Sequence, residues 1–172
     1  MENRLGQISY GPRVPHRACG LVLFLSGAID FLRVFAPQIY GIPVDRIIGT
    51  ELKLESRMVN DRLVVWRLPG IEAINDKEGK PVGIDRQIGK RPIFVAGNVG
   101  NYGDIAMMQY SKGRRGPSFQ LLINHDDDAR EFAYGEKDNA SLNAAKIYGF
   151  TVVNIKSDWK TVFVVRQAAA AK

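Results

Sequence analysis

The chain has 172 residues, 45% of them hydrophobic, and this suits one globular domain of ordinary size with an apolar core. Its single cysteine, Cys19, excludes a disulfide framework and a cysteine zinc site. No run reaches the roughly 18 apolar residues of a membrane span, so no membrane partner is expected. The net charge of +6 fits a solvated basic surface, with an anionic partner as the alternative.

The first part of the chain predicts an arm, a strand and a helix. Residues 1–16 contain two glycines and two prolines without an apolar period, which indicates an irregular arm. The apolar run 21–25 follows arginines, as in a signal peptide. Charged residues follow that run, however, which favours a buried strand leading into a helix. That helix carries apolar residues from Ile29 to Ile39; Pro37 is expected to kink it, and Gly41 to end it.

The next segment predicts a β-hairpin at about residues 50–67. Apolar and polar residues alternate on both sides of Asn60-Asp61, which supplies the turn. Residues 70–80 are polar and are expected to form a loop. Pro81 fits the first turn of a helix that runs to about Ile88.

The remaining residues alternate between apolar runs and helical patterns. In the segment DDAREFAY, Asp128 and Glu131 have the spacing of a helix capping box. Residues 17–165 are thus expected to form the core and residues 166–172 a tail. The predicted strands are 93–96, 119–123 and 151–155, and the other predicted helices are 104–110 and 141–148, the last ended by Gly149.

Buried strands alternating with helices predict an α/β fold, a parallel sheet with helices on both faces and a hairpin insertion. The runs 21–25, 93–96, 119–123 and 151–155 are expected side by side. Ligands bind such sheets beyond the carboxyl ends of the strands. Three polar segments fall there: Ser26-Gly27, 98–104 and 124–128.

The loop after the second of these strands reads GNVGNYGD and combines glycines with possible metal ligands. Glycines at 97, 100 and 103 allow the backbone to approach a ligand closely. Asp104 and Asn98 offer oxygens that suit Mg²⁺, although Asp104 could equally cap the next helix. The loop lacks the Gly-Lys-Ser/Thr of a phosphate loop and the spacing of the dinucleotide fingerprint.

Other candidate residues point to an anionic ligand. Ser26 and Gly27 could hydrogen-bond a phosphoryl group or cap a helix, and Lys80 could neutralise a phosphate or lie in solvent. His125 has no nucleophile at a useful spacing, which excludes a hydrolase triad. The basic cluster of Lys112, Arg114 and Arg115 has no interleaved aromatic residue, so a nucleic-acid partner is not expected.

Five segments in order carry a family resemblance across about residues 17–163: SGAIDFLRVFAPQIYGIPVDRIIGTELK, GKPVGIDRQIGKRPIFVAGN, GDIAMMQYS, LLINHDDDAREFAYGEKD and GFTVVNIKSDWKTVF. Together they resemble a haloacid dehalogenase (HAD) superfamily hydrolase of the phosphoserine-phosphatase-like type. The resemblance implies a Rossmann-like core and Mg²⁺-dependent hydrolysis of a small phosphorylated substrate through an aspartyl-phosphate.

The resemblance also implies roles for particular residues. Ser26 matches the hydroxyl that binds the phosphoryl group, with Gly27 beside it. Lys80 matches the lysine that steadies the phosphate, and Lys90 is the second choice. Asn98 and Asp104 match the acidic motif that completes the metal site, with a loop two residues longer than usual.

The Asp-x-Asp motif that supplies the nucleophile in that family does not precede Ser26; only Glu2 is acidic before Asp30. An N-terminally truncated product, a fragment or a remnant with another use is therefore expected. Activity should be absent or weak, and the edge left by a missing first strand should favour self-association. The alternatives are a non-catalytic domain that binds phosphorylated ligands or a protein, and a basic nucleic-acid module. A cytoplasmic location is expected, or a periplasmic one if an upstream segment carries a signal peptide.

Overall fold

The computed structural model describes residues 24–100 and 102–162, with the backbone alone for residues 24–26. The arm, the first residues of the run 21–25 and the tail lie outside this part. The strands are β1 Phe24–Ala28, β2 Ile47–Val59, β3 Arg62–Ala73, β4 Phe94–Asn98, β5 Phe119–Asn124 and β6 Thr151–Asn154. The α-helices are α1 Ile29–Tyr40, α2 Gly79–Ile88, α3 Ile105–Lys112, α4 Ala140–Tyr148 and α5 Ile155–Asp158.

The described strands form two sheets of three strands each. In the first sheet β1 runs parallel to β2, and β2 is antiparallel to β3; in the second, β4, β5 and β6 are all parallel. The mixed α/β class and the parallel sheet are therefore confirmed. The prediction of four runs in one sheet is wrong, because Leu25 pairs with Ile48 of β2 rather than with β4. An apolar run in the sequence indicates that a strand is buried, but it does not indicate which strand is its pairing partner.

The core of the parallel sheet lies on one of its faces. Val95 and Leu122 point to this face and pack against helices α2, α3 and α4. Their neighbours along the strands point the other way, and none of the side chains on that second face is fully buried. Helices on both faces were expected; within the described residues, the buried core lies on one face.

The β2–β3 hairpin is confirmed and is longer than predicted. Asn60 and Asp61 have φ of 48° and 60°, as a two-residue hairpin turn requires. The loop predicted from residue 70 begins later, because β3 continues to Ala73. The register of the β2–β3 pairing shifts between Leu52 and Leu54 of β2. Pro69 and Gly70 of β3 lie opposite this point as extra residues outside the regular pairing, so β3 continues past the proline.

The helices follow their predicted bounds closely, with two differences, and α5 is an additional helix that begins at Ile155, the last residue of the predicted strand 151–155. α1 continues through Pro37 and ends at Gly41, which is left-handed at φ 67°. No helix forms at 126–134. The Asp127 carboxylate instead accepts hydrogen bonds from Ala129 N and the Arg130 guanidinium, and Glu131 bonds His125. These local side-chain bonds replace the capping box that was predicted.

We expect Gly89→Ala to lower the free energy of unfolding by about 1 kcal/mol, because Gly89 ends α2 at φ 65° and nothing lies near an added Cβ. The cost then comes from the backbone alone. Gly135→Ala is the matched control, since that site is equally open and has no left-handed φ. Urea unfolding measures both. Equal stabilities of the two variants would contradict the left-handed conformation at Gly89.

Candidate functional site

A buried ion pair joins the start of α2 to the loop after β4. Lys80 is the second residue of α2 and is only 6% exposed. Its Nζ lies 2.5 Å from Asp104 Oδ1. A charged lysine and carboxylate are rarely found buried unless they are paired, so this contact fixes both side chains. Of the two sequence-based alternatives for Lys80, the one in which it lies in solvent is therefore wrong.

Asp104 stands at the first position before α3 but does not cap that helix through its side chain. Its Oδ2 accepts a hydrogen bond of 3.0 Å from the backbone N–H of Asn98, at the end of β4. The carboxylate therefore links Lys80, β4 and α3. Of the two roles weighed for Asp104, capping is excluded here, and the carboxylate stays at the carboxyl end of the sheet.

The glycine at position 97 is required by this close approach. A Cβ added to Gly97 would lie 2.5 Å from Asp104 Oδ2. At Gly103, an added Cβ would meet Asp76 Oδ1 at 3.2 Å and Lys80 Nζ at 3.7 Å. A second carboxylate, Asp76, therefore lies on the same side of the loop as the ion pair.

The segment after β5 holds the glycine-rich loop in place. Glu136 accepts a hydrogen bond of 2.9 Å from the Tyr102 N–H, and its other oxygen accepts one of 2.6 Å from the Ser141 N–H. The Tyr102 hydroxyl donates to Asp138 at 2.5 Å. The loop is thus anchored at both the backbone and the side chain of Tyr102, whose own φ is 60°.

A second chain of contacts reaches Asn98. Asn98 Nδ2 donates a hydrogen bond of 2.9 Å to the Tyr134 hydroxyl. The Tyr134 ring stacks on His125 with 4.5 Å between centroids, and His125 Nδ1 lies 2.7 Å from Glu131 Oε1. With its nitrogen engaged by Tyr134, the Asn98 amide offers its oxygen as the atom for a cation.

Hydrogen bonds and burial shift several pKa values around the loop. Burial acts to raise the pKa of Glu136, but donors from Ser141, Tyr102 and Gly100 outweigh it and lower the pKa below its usual value. The Tyr102 hydroxyl lowers the pKa of Asp138, and its own pKa is raised by that bond. Burial raises the pKa of Tyr134. The carboxylates that hold the loop are therefore stabilised in their charged forms.

The oxygens near Lys80 suit a Mg²⁺ ion only in part. Within residues 24–100 and 102–162, no group of three His, Cys, Asp or Glu side chains could hold a metal ion. The Asp104 oxygens each accept one hydrogen bond and keep a lone pair. Asp104 and Asn98 thus fit a Mg²⁺ that also takes water and ligand phosphate oxygens, and not one held by the protein alone.

The sequence-derived residues do not all fall together. Lys80, Asn98 and Asp104 form one cluster. The Ser26 side chain lies outside the described residues, and the backbone of Ser26 and Gly27 belongs to β1 in the other sheet. Lys90 lies beyond the far end of α2. Residues 124–128 instead contact the end of β6 and the start of α5: Asn124 bonds Asn154, and Asp126 accepts from the Lys156 N–H.

Sequence reasoning missed the side chains that support the loop, namely Tyr134, Glu136 and Asp138. They lie in an irregular segment 30 to 40 residues away, which the sequence analysis assigned in part to a helix. The resemblance included this segment as LLINHDDDAREFAYGEKD, and that was the one signal that could have identified it.

In comparisons with known proteins, no family model matches this chain and no curated protein matches it significantly. Within the part of the chain that the structure describes, no helix is long and apolar enough to cross a bilayer.

We expect Lys80→Met to lower the free energy of unfolding by about 3 kcal/mol, because it leaves the Asp104 carboxylate without its cation. The double variant Lys80→Met/Asp104→Asn should recover much of this loss. Urea unfolding of the wild type, both single variants and the double variant gives the coupling energy. The exposed pair Arg67–Asp30 is the control, and its cycle should give a much smaller coupling. Equal couplings would show that the Lys80–Asp104 pair is not buried.

We expect acid to weaken the anchor at Glu136. Because its folded pKa is lowered, this carboxylate stabilises the fold above its usual pKa of about 4.3 and loses that contribution as pH falls through the folded value. Glu136→Gln should therefore be less stable at neutral pH, with a shallower loss of stability in acid. Exposed Glu72→Gln is the control. Identical pH profiles for Glu136→Gln and the wild type would contradict the anchor.

Proposed function

We propose that the Lys80–Asp104 cluster is the phosphate-binding and metal-binding part of a HAD-type phosphohydrolase site, on a Rossmann-like core. The observation that carries this proposal is the buried Lys80–Asp104 pair at the carboxyl end of β4. That end of a parallel sheet is where ligands bind in α/β folds. A small phosphorylated molecule is the proposed ligand.

Lys80 supplies the positive charge that a phosphate needs. Its ammonium group has three N–H donors, and one of them is engaged by Asp104. The other two can donate to phosphoryl oxygens. Asp104 holds the ammonium group in position, so little side-chain entropy is lost when the phosphate binds.

Mg²⁺ would neutralise the charge that spreads over the phosphoryl oxygens during transfer. Asp104 and Asn98 would hold it, with the remaining positions filled by water and phosphate. The metal and the phosphate should therefore bind together, each raising the affinity of the other.

The residues that would break the phosphoester bond are not found in this sequence before Ser26. A HAD-type reaction needs an aspartate that attacks phosphorus and a second that protonates the leaving group. No Asp-x-Asp precedes Ser26, and only Glu2 is acidic before Asp30. The second candidate function is a non-catalytic domain that binds a phosphorylated ligand or a protein. Self-association through β1 and β4, which are edge strands among the described residues, is part of the same proposal.

We expect phosphate and Mg²⁺ together to raise the midpoint of thermal unfolding, and each alone to have a smaller effect. Lys80→Arg should keep the charge and weaken the effect, and Lys80→Met should abolish it. Exposed Lys146→Met serves as the matched control. Phosphorus NMR of inorganic phosphate gives a direct measure for variants of low stability. A response in Lys80→Met equal to the wild type would reject the site.

We expect the 172-residue chain to be a very poor phosphatase on a generic aryl phosphate with Mg²⁺. Loss of the nucleophile commonly removes on the order of 10⁴ or more in rate, because catalytic groups act as a unit. Turnover should lie well below the ordinary range of about 1 s⁻¹. Turnover at or above that range, abolished by Asp104→Ala, would show that another residue acts as the nucleophile. Phosphate binding without turnover favours the second function.

A further inference from the structure

Positive charge is concentrated in one stretch of the chain, on side chains that the proposed phosphatase site does not use. Between residues 86 and 125 the single acidic residue is Asp104, which Lys80 already neutralises. The same stretch contains six basic residues: Arg86, Lys90, Arg91, Lys112, Arg114 and Arg115. With Asp104 counted, the stretch carries a net charge of +5, which is most of the +6 of the whole chain.

The fold brings these residues to the amino end of the parallel sheet. Strands β4 and β5 run parallel, so the loops before them, 89–93 and 113–118, lie side by side. The Phe119 N–H donates to Ile93 O at 2.8 Å. Arg91 donates to Tyr110 O at 2.6 Å and would lie 2.9 Å from a Cβ added at Gly113. The two basic loops therefore form one continuous surface.

A surface cleft of about 720 Å³ opens on this basic surface. Arg86, Lys90, Arg91 and Tyr110 line it, together with one carboxylate, Asp85. The Arg91 guanidinium lies 4.3 Å from the centre of the Tyr110 ring. The cleft runs along the exposed side of α2, from Pro81 to Gly89, whereas Lys80 is buried on the core side of the helix. It is thus a separate site from the Lys80–Asp104 cluster.

Two exposed aromatic rings lie at the same end of the sheet. Phe94 follows the first basic loop and Phe119 follows the second. They pair across the strands with 5.8 Å between ring centroids and 11° between their planes. Phe94 is 53% exposed and Phe119 47% exposed. The sequence shows no aromatic residue among Lys112, Arg114 and Arg115, whereas strand pairing brings two rings together at the edge that the basic loops form, on the sheet face opposite α2 and α3.

We propose that the amino end of the parallel sheet binds single-stranded nucleic acid. The basic loops contact phosphates, and the exposed faces of Phe94 and Phe119 stack on bases. Charge alone would suit any polyanion, but exposed aromatic rings beside arginines suit unpaired bases. A duplex keeps its bases stacked on one another and offers those rings little. An acidic protein would not need the exposed ring faces of Phe94 and Phe119 for binding.

Fluorescence anisotropy with labelled DNA and RNA oligonucleotides, single-stranded and duplex, tests this surface over a range of salt concentrations. We expect the wild type to prefer single strands of either sugar, with affinity falling as salt rises. For Arg114→Gln/Arg115→Gln we expect lower affinity and a salt slope smaller by roughly 1.4, at about 0.7 per lost phosphate contact. For Phe94→Leu/Phe119→Leu we expect affinity at least about tenfold lower at every salt concentration, with the slope unchanged.

Lys53→Gln/Arg62→Gln removes the same charge from the hairpin and serves as the control. It should bind like the wild type. Circular dichroism of each variant checks its folding, and the exposed positions of Phe94 and Phe119 make unfolding by leucine unexpected. No binding at low salt would overturn the proposal. Equal affinity for duplex and single strand, in both the wild type and the phenylalanine variant, would also overturn it. A loss of affinity in the hairpin control as large as in the Arg114→Gln/Arg115→Gln variant would do the same, because each outcome indicates nonspecific attraction of a polyanion.

Discussion

The pairing of Lys80 with Asp104 is the constraint on which the neighbouring backbone depends. To bring the two side chains together, the start of α2 and the loop after β4 must approach closely, and glycines stand where a side chain would obstruct them. A Cβ at Gly97 would collide with the Asp104 carboxylate, and one at Gly79 would lie 2.0 Å from Ile74 O. Gly97 thus serves the ion pair as well as any ligand, because it allows the Asp104 carboxylate to approach β4, while Gly79 allows α2 to begin close to the Ile74 carbonyl.

The loop between Asn98 and Asp104 does not hold its own shape. Tyr102 has a left-handed φ that costs a non-glycine residue energy, and the bonds from Glu136 and Asp138 compensate for it. The edge of the Tyr134 ring also lies beside Gly100. The conformation of the loop is therefore encoded more than thirty residues away. A change in segment 134–138 would alter the oxygens at Asn98 and Asp104 without touching a ligand.

The difference between local and distant determinants of conformation explains which features could be predicted from the sequence. Helix ends at Gly41 and Gly149 and the turn at Asn60-Asp61 depend on a residue's own backbone preference, and they are confirmed. The pairing of residue 25 with Ile48 and the lack of a helix at 127–134 depend on distant partners, and the predictions of four runs in one sheet and of a helix in this segment were wrong. For the second, Arg130 donates to the carbonyls of Ile155 and Trp159, which holds the segment against α5. In the site, Lys80 and Asp104 were identified because a lysine before proline and an acid after glycines are local signals; Tyr134 and Glu136 carry none.

The charged side chains at the two ends of the parallel sheet differ in burial and in pairing. At the carboxyl end, Lys80 is buried and committed to Asp104, so a ligand there gains from a fixed geometry but must share the ammonium group with a carboxylate. At the amino end, Arg91 and its neighbours are exposed, with Asp85 as the one carboxylate in the cleft. Exposed charges attract anions at long range and are screened by salt, whereas the buried pair is screened far less. Salt concentration therefore separates the two ends: a ligand of the amino end should be released as salt rises, while the Lys80–Asp104 pair persists.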